Sequence, residues 1–147
     1  MKKRWFGIDF GESRTGVAIS DPLGSLAFPF RTLPGGRDAL AQLVLAAQQE
    51  RIAGVVLGLP KNMDGTLGPA AEKVQQFAEQ LRASLPEIEI VLWDERMTTL
   101  EAQKRLHEAG KNTRNSRKII DQVAAQILLQ NYLDAQTLAS ESDLFPE

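Results

Sequence analysis

The stretch RWFGIDFGESRTGVAISD, residues 4–21, holds two apolar runs separated by the polar triplet Glu12-Ser13-Arg14. Short apolar runs broken by a polar turn read as neighbouring strands. A third run, SLAFPFRTL over residues 25–33, follows the turn DPLG, so the chain opens with three strands joined by tight turns. One residue does not belong to this pattern. Asp9 lies between Ile8 and Phe10 in the first strand, where a charged carboxylate costs several kcal/mol unless it is paired, hydrogen-bonded or bound to a metal. Three readings fit it: an acid that accepts backbone N–H groups from the turn Gly11-Glu12-Ser13, part of a phosphate loop, or a metal ligand. Gly7 and Gly11 flank it and remove side-chain bulk, which would let a phosphate or an ion approach the backbone.

Beyond the three strands the pattern changes to alternation. DALAQLVLAAQQE, residues 38–50, places Leu40, Leu43, Val44 and Ala47 at helical spacing after the break at Gly35 and Gly36. IAGVVLGLP, residues 52–60, is a nearly continuous apolar run, as expected of a strand buried on both faces. After the loop KNMDGTLG, Pro69 opens a helix with the stripe Val74, Phe77, Ala78 and Leu81. IEIVLWD, residues 88–94, is the fifth strand. A helix over 98–110 follows, with Thr98 and Glu101 at capping-box spacing and Gly110 at its end. A last helix, NSRKIIDQVAAQILLQNYL, starts from Asn115 or Ser116 as its cap. This order predicts an α/β fold: an antiparallel meander continued by parallel strands through right-handed crossovers, with helices on the sheet's faces. A length of 147 residues fits one domain, placed at 1–136, with 137–147 as a mobile acidic tail.

Composition narrows the chemistry. Hydrophobic content of 43% and charged content of 24% are those of a globular protein, and no apolar run reaches the length of a membrane span. Asp9 and Glu12 interrupt the apolar stretch a signal peptide would need, so a cytoplasmic protein is expected. With no cysteine and one histidine, disulfides, thiolate sites and histidine-rich zinc sites are excluded. A metal here must bind through oxygen, which favours hard cations. His107 sits near a helix end and reads as a solvated side chain. The net charge of -2 advertises no nucleic-acid partner. The acid-free segment GKNTRNSRK, however, carries Lys111, Arg114, Arg117 and Lys118 immediately before another acid, Asp121.

Two further acids stand out. Asp94 and Glu95 end the fifth strand, where open sheets collect their ligands. Adjacent residues point to opposite faces, so only one of them can face the same site as Asp9 without a bend. Asp121, with Ala124, Ala125 and Leu128 following it, borders the apolar face of the last helix, where it needs a metal or a basic partner. Lys118, three residues earlier, is one candidate for that partner. Three carboxylates converging from separate elements can hold one or two divalent ions, an arrangement suited to phosphodiester hydrolysis. The neighbouring basic residues Arg114, Arg117 and Lys118 would then clamp phosphates.

Four segments in order, GIDFGESRTGVAISD, VVLGLPKNMDGT, DERMTT and KIIDQVAAQILLQNYL, resemble the bacterial YqgF family, also called RuvX. Its members are described as Holliday-junction resolvases or as nucleases that mature the precursor of small-subunit ribosomal RNA. The resemblance spans nearly the full chain. It implies an RNase H-like fold, with a five-stranded mixed sheet whose first three strands are antiparallel. It also implies that Asp9, Glu95 and Asp121 are catalytic acids holding Mg2+ or Mn2+, that Arg14, Lys61, Asn62 and Arg96 occupy substrate-binding loops, and that Asp94 supports the loop. The expected activity is a metal-dependent nuclease acting on the 5' end of pre-16S rRNA, as a monomer or a homodimer. A Holliday junction resolvase acting on branched DNA and a non-catalytic ribosome-binding module are the alternatives. GIDFGESRTG also looks like the first phosphate loop of the actin, sugar-kinase and Hsp70 ATPases, which need a second lobe for which this length leaves no room.

Overall fold

A computed structural model describes residues 3–95, 104, 107–108 and 116–144, with backbone alone for 37, 116–118 and 140–144. The elements are β1 (Trp5–Asp9), β2 (Arg14–Ser20), β3 (Ala27–Pro34), α1 (Arg37–Gln49), β4 (Gly54–Leu59), α2 (Pro69–Ser84), β5 (Glu89–Asp94) and α3 (Ser116–Leu144). The strands form one sheet in the order β3-β2-β1-β4-β5. β1 pairs antiparallel with β2, and β2 with β3, while β4 runs parallel to both β1 and β5. This is the meander and crossover arrangement expected from the order of elements. Lys104, His107 and Glu108 are helical and exposed; the rest of the helix expected over 98–110, its capping pair included, lies outside the described residues. α3 runs on to Leu144.

Alternation along the strands sorts the core into two unequal layers. Phe6 and Ile8 of β1, Val17 of β2, and Val55, Leu57 and Leu59 of β4 point to the face covered by α1 and α2. There they meet Leu43, Ala46, Val74, Phe77 and Leu81, a layer of large branched and aromatic side chains. The other face is covered by α3, through Ala125, Leu128, Leu129, Tyr132 and Leu133. Part of its floor is small, since Ala18 is buried there and Gly7 and Gly16 lie under the helix, beside the larger Trp5, Val56 and Trp93. A methyl group on Gly7 would come within 2.5 Å of the Leu129 Cβ and 2.8 Å of the Ala125 carbonyl oxygen. On Gly16 it would collide with the backbone of Asp121. Glycine is therefore required at both positions by the closeness of a helix, and at Gly7 this replaces the phosphate access expected from the sequence. Gly11 is likewise taken up by the turn, since a methyl group there would strike the Arg14 carbonyl.

Three glutamines one turn apart hold α3 against the edge strand. Gln122 Nε2 donates to Thr32 Oγ1 at 3.0 Å, and Gln126 Nε2 donates to the Ala27 carbonyl at 3.1 Å. Gln130 accepts from the Ala27 N–H at 2.9 Å through Oε1, and its Nε2 donates to the Ser25 carbonyl. The spacing i, i+4, i+8 keeps all three on one side of the helix, so they fix its position along the sheet.

Candidate active site

Asp9 is the last residue of β1 and shares its face with Gly7 and Trp5, two and four residues back, which is the α3 side of the sheet. Phe10 turns to the opposite face, where it stacks on Phe77 with ring centroids 4.3 Å apart and anchors the strand end beneath the acid. The same alternation decides between the two acids at the end of β5. Val91 and Trp93 pack toward α3, so Glu95 follows them and Asp94 faces away. Glu95 reaches across β4 over Gly58, where a methyl group would overlap its carboxylate. Asp121 enters from above, on the α3 face that four residues later buries Ala125.

The structure thus brings Asp9, Glu95 and Asp121 to one place. Burial pushes the Asp9 carboxyl up to about 7, with the negative charges of Glu95 and Asp121 adding to the shift. A hydrogen bond joins Asp9 to Glu95 and favours the protonated form of Asp9, so the Asp9 O–H donates to the Glu95 carboxylate. Burial also raises Glu95; the bond from Asp9 opposes this, and the Asp94 charge adds to it. Asp121 has its own partner, because Arg14 Nε donates to its Oδ2 at 2.7 Å. The basic partner required by Asp121 therefore comes from β2.

Among the described residues no three acidic or imidazole side chains stand as a ready metal cage. The donor set nonetheless suits one. All three groups offer hard oxygen ligands, and burial, with neighbouring negative charge adding to it, disfavours the ionised forms of Asp9 and Glu95, a cost that a divalent cation would offset. Arg14 occupies one oxygen of Asp121, and the other takes no bond from the described residues.

The remaining expected substrate residues divide three ways. Arg14 is an orienting partner for Asp121 in this arrangement. Lys61 is half-buried where the loop leaves β4, while the Asn62 amide donates to Thr66 Oγ1 at 2.9 Å and so builds that loop. Arg96 and Arg114 lie outside the described residues. Arg117 and Lys118 fall in the first turn of α3, with only their backbone described. Gly16 and Gly58 were not singled out from the sequence. Their signal was present, as glycines inside otherwise apolar strands, a mark of close approach by another group.

Similarity to known proteins runs along nearly the whole chain. The family model described as "RuvX: Holliday junction resolvase" matches residues 3–135. A protein of Acetivibrio thermocellus is 39% identical, with 90% of this chain and 96% of the relative aligned. One of Thermoanaerobacter pseudethanolicus is 42% identical, with 90% and 97% aligned. Both carry the provisional name pre-16S rRNA nuclease. Among solved structures, Thermus thermophilus RuvC in complex with a Holliday junction superposes with a TM-score of 0.61 at 12% identity, over 92% of this chain and 96% of that one. A fowlpox virus resolvase bound to junction DNA gives 0.57 at 9% identity, over 90% and 98%. At such identities the likeness is one of fold, and that fold is RNase H-like.

Proposed function

The chain belongs to the RuvX family, and from that premise we propose that it is a divalent-metal nuclease acting on pre-16S rRNA in the cytoplasm, with Asp9, Glu95 and Asp121 holding Mg2+ or Mn2+. The observation that carries this reading is the buried, mutually repelling group of carboxylates, with Asp9 raised to about 7. Such a group destabilises the fold that contains it, and strained electrostatics of this kind collect at functional sites. A bound divalent cation would polarise the phosphoryl oxygens and lower the pKa of water at the site.

The chain's own residues supply the rest. Asp9 and Glu95 share a proton in the metal-free state and must release it for both to act as ligands. Arg14 holds the Asp121 carboxylate in one orientation. Lys61 enters at the end of β4, and with Arg96, Arg114, Arg117 and Lys118 it would neutralise the substrate backbone. The names of the two relatives, at about 40% identity over nearly their whole length, favour ribosomal RNA. The family description favours a second reading, resolution of branched DNA.

Purified protein incubated with Mn2+ and either pre-16S rRNA fragments or a four-way DNA junction separates the two. The expected result is cleavage of the RNA, lost with a chelator and in Asp9→Asn. Cleavage of the junction alone would select the second reading, and cleavage of neither, with metal present, would overturn both.

A further inference from the structure

On the α1 and α2 side of the sheet, at the carboxyl end of β1, lies a groove of about 350 Å³. Phe10, Phe77 and Leu40 give it an apolar floor. Lys73, Gln76 and Gln80 line it from α2, and their spacing of three and four residues sets them on one side of that helix. Glu12 and Gly36 complete the rim. That rim is fixed by backbone hydrogen bonds between two turns. The Gly36 N–H donates to the Gly11 carbonyl at 3.2 Å, and the Gly35 N–H donates to the Ser13 carbonyl at 3.1 Å, so the turn that leaves β1 is tied to the turn that starts α1.

The groove adjoins the acids through the chain itself. Asp9 and Phe10 are consecutive, with Cα atoms about 3.8 Å apart, and they face opposite sides of the sheet. A nucleic-acid strand laid over the end of β1 would bring a phosphate to one side and an adjoining base to the other. Among the described residues that line the groove, the one cation, Lys73, is paired with the one anion, Glu12. An uncharged group therefore suits it better than a phosphate. Gln76 and Gln80 are exposed and take no hydrogen bond from the described residues. Each primary amide offers donors and an acceptor, which match the polar edge of a nucleobase. An aromatic and aliphatic floor beside two such amides has the chemistry to hold a base. Peptide modes fit less well. β1 is paired on both sides, by β2 and β4, so no free strand edge borders the groove, and a docked helix, about 10 Å across, needs a longer apolar channel.

We propose that this groove receives one unpaired nucleobase of the substrate, from a nucleotide next to the scissile phosphate. The proposal rests on the nuclease reading above and adds what the site selects. A base seated there has left its own stack, so a paired nucleotide enters only at the cost of opening its duplex. The substrate is then single-stranded or branched where it is cut, and an intact duplex is disfavoured.

The test measures binding of full-length Asp9→Asn protein, which holds substrate without turnover, to pre-16S rRNA fragments made abasic at one nucleotide at a time. At one position, next to the cut mapped with the parent chain, loss of the base should weaken binding about ten-fold. Gln76→Ala combined with Gln80→Ala should cost the unmodified RNA about as much, with the melting temperature unchanged because both side chains are exposed. The abasic RNA and the double variant together should lose no more than either change alone. Gln49→Ala, an exposed amide at the far end of α1, should leave the effect of the base intact. Losses that multiply at every position overturn the groove as a base site. Unchanged affinity for RNA in the double variant also overturns it, and weakened binding of that variant to the ribosomal precursor particle would then assign the groove to a protein. A parent chain that cleaves while the losses multiply keeps the nuclease reading and loses the groove alone, whereas absence of metal-dependent cleavage by the parent chain overturns the nuclease reading and the groove with it.

Discussion

At Asp9, the stability of the fold and the role proposed for this acid in activity pull in opposite directions. The folded protein keeps the Asp9 proton until about pH 7, whereas the ordinary value is 3.8. Between those values the native state binds more protons than the unfolded one, so metal-free stability falls as pH rises through that window and the full penalty remains above it. Each unit of raised pKa is worth about 1.4 kcal/mol, so the penalty is at most about 4 kcal/mol. Asp9→Asn should therefore raise the metal-free melting temperature at pH 8, lose that advantage near pH 4, and lower kcat about a thousand-fold or more. Unfolding scans across pH and a cleavage assay read the two effects separately; a variant less stable than the parent at pH 8 would contradict the electrostatic account. Gly58 supplies the complementary case. The methyl group of an alanine there would meet the Glu95 carboxylate, the end of a side chain and not backbone, so Gly58→Ala should cut activity while changing the midpoint of chemical denaturation little. Gly16→Ala strikes the α3 backbone instead. It should cost stability as well, about 1–3 kcal/mol by denaturant titration.

Among the elements, α3 has the largest part in assembling the site, and it is held by polar as well as apolar contacts. Gln130→Ala would leave the Ala27 N–H without its acceptor, a loss of about 1–3 kcal/mol if that group stays buried. Because the glutamines set where the helix lies along the sheet, activity in this variant should fall at denaturant-free temperatures where the protein is still fully folded. Circular dichroism beside a rate measurement distinguishes this from simple unfolding. The role of these residues was not legible beforehand. A helix-period pattern reports which face is buried, and it picked out the Asp121 edge of α3 correctly, since Ala125 is buried there. Glutamine carries no such signal, because its amide serves a solvated surface as well as a strand edge. The partner of Asp121 was hidden for a related reason. Arg14 and Asp121 are 107 residues apart, and local spacing offers Lys118 but says nothing about β2.

For the whole molecule, strand order and fold class were legible because period-two and period-3.6 patterns are strong over these segments and crossover handedness leaves few topologies. Asp9, Asp121 and the pair Asp94-Glu95 could be singled out because acids at strand ends and on an apolar helix edge conflict with their surroundings, while the choice of Glu95 over Asp94 came from the family resemblance. How close they stand depends on Gly7, Gly16 and Gly58, whose purpose appears only when the facing element is in place. If the three acids form one metal site, Mn2+ should raise the melting temperature by mass action, and Asp9→Asn should abolish the effect. At pH 6 the shift should shrink, because the cation must then displace a proton shared by Asp9 and Glu95; an equal shift at pH 6 and pH 8 would place the ion elsewhere. Finally, α3 lies on the strands made first, with its backbone against Gly7 and Gly16. Synthesis delivers Asp9 early and Asp121 more than a hundred residues later, so a nascent chain has no complete site until α3 has left the ribosome. If the three acids are the nuclease site proposed above, that site stays incomplete throughout synthesis.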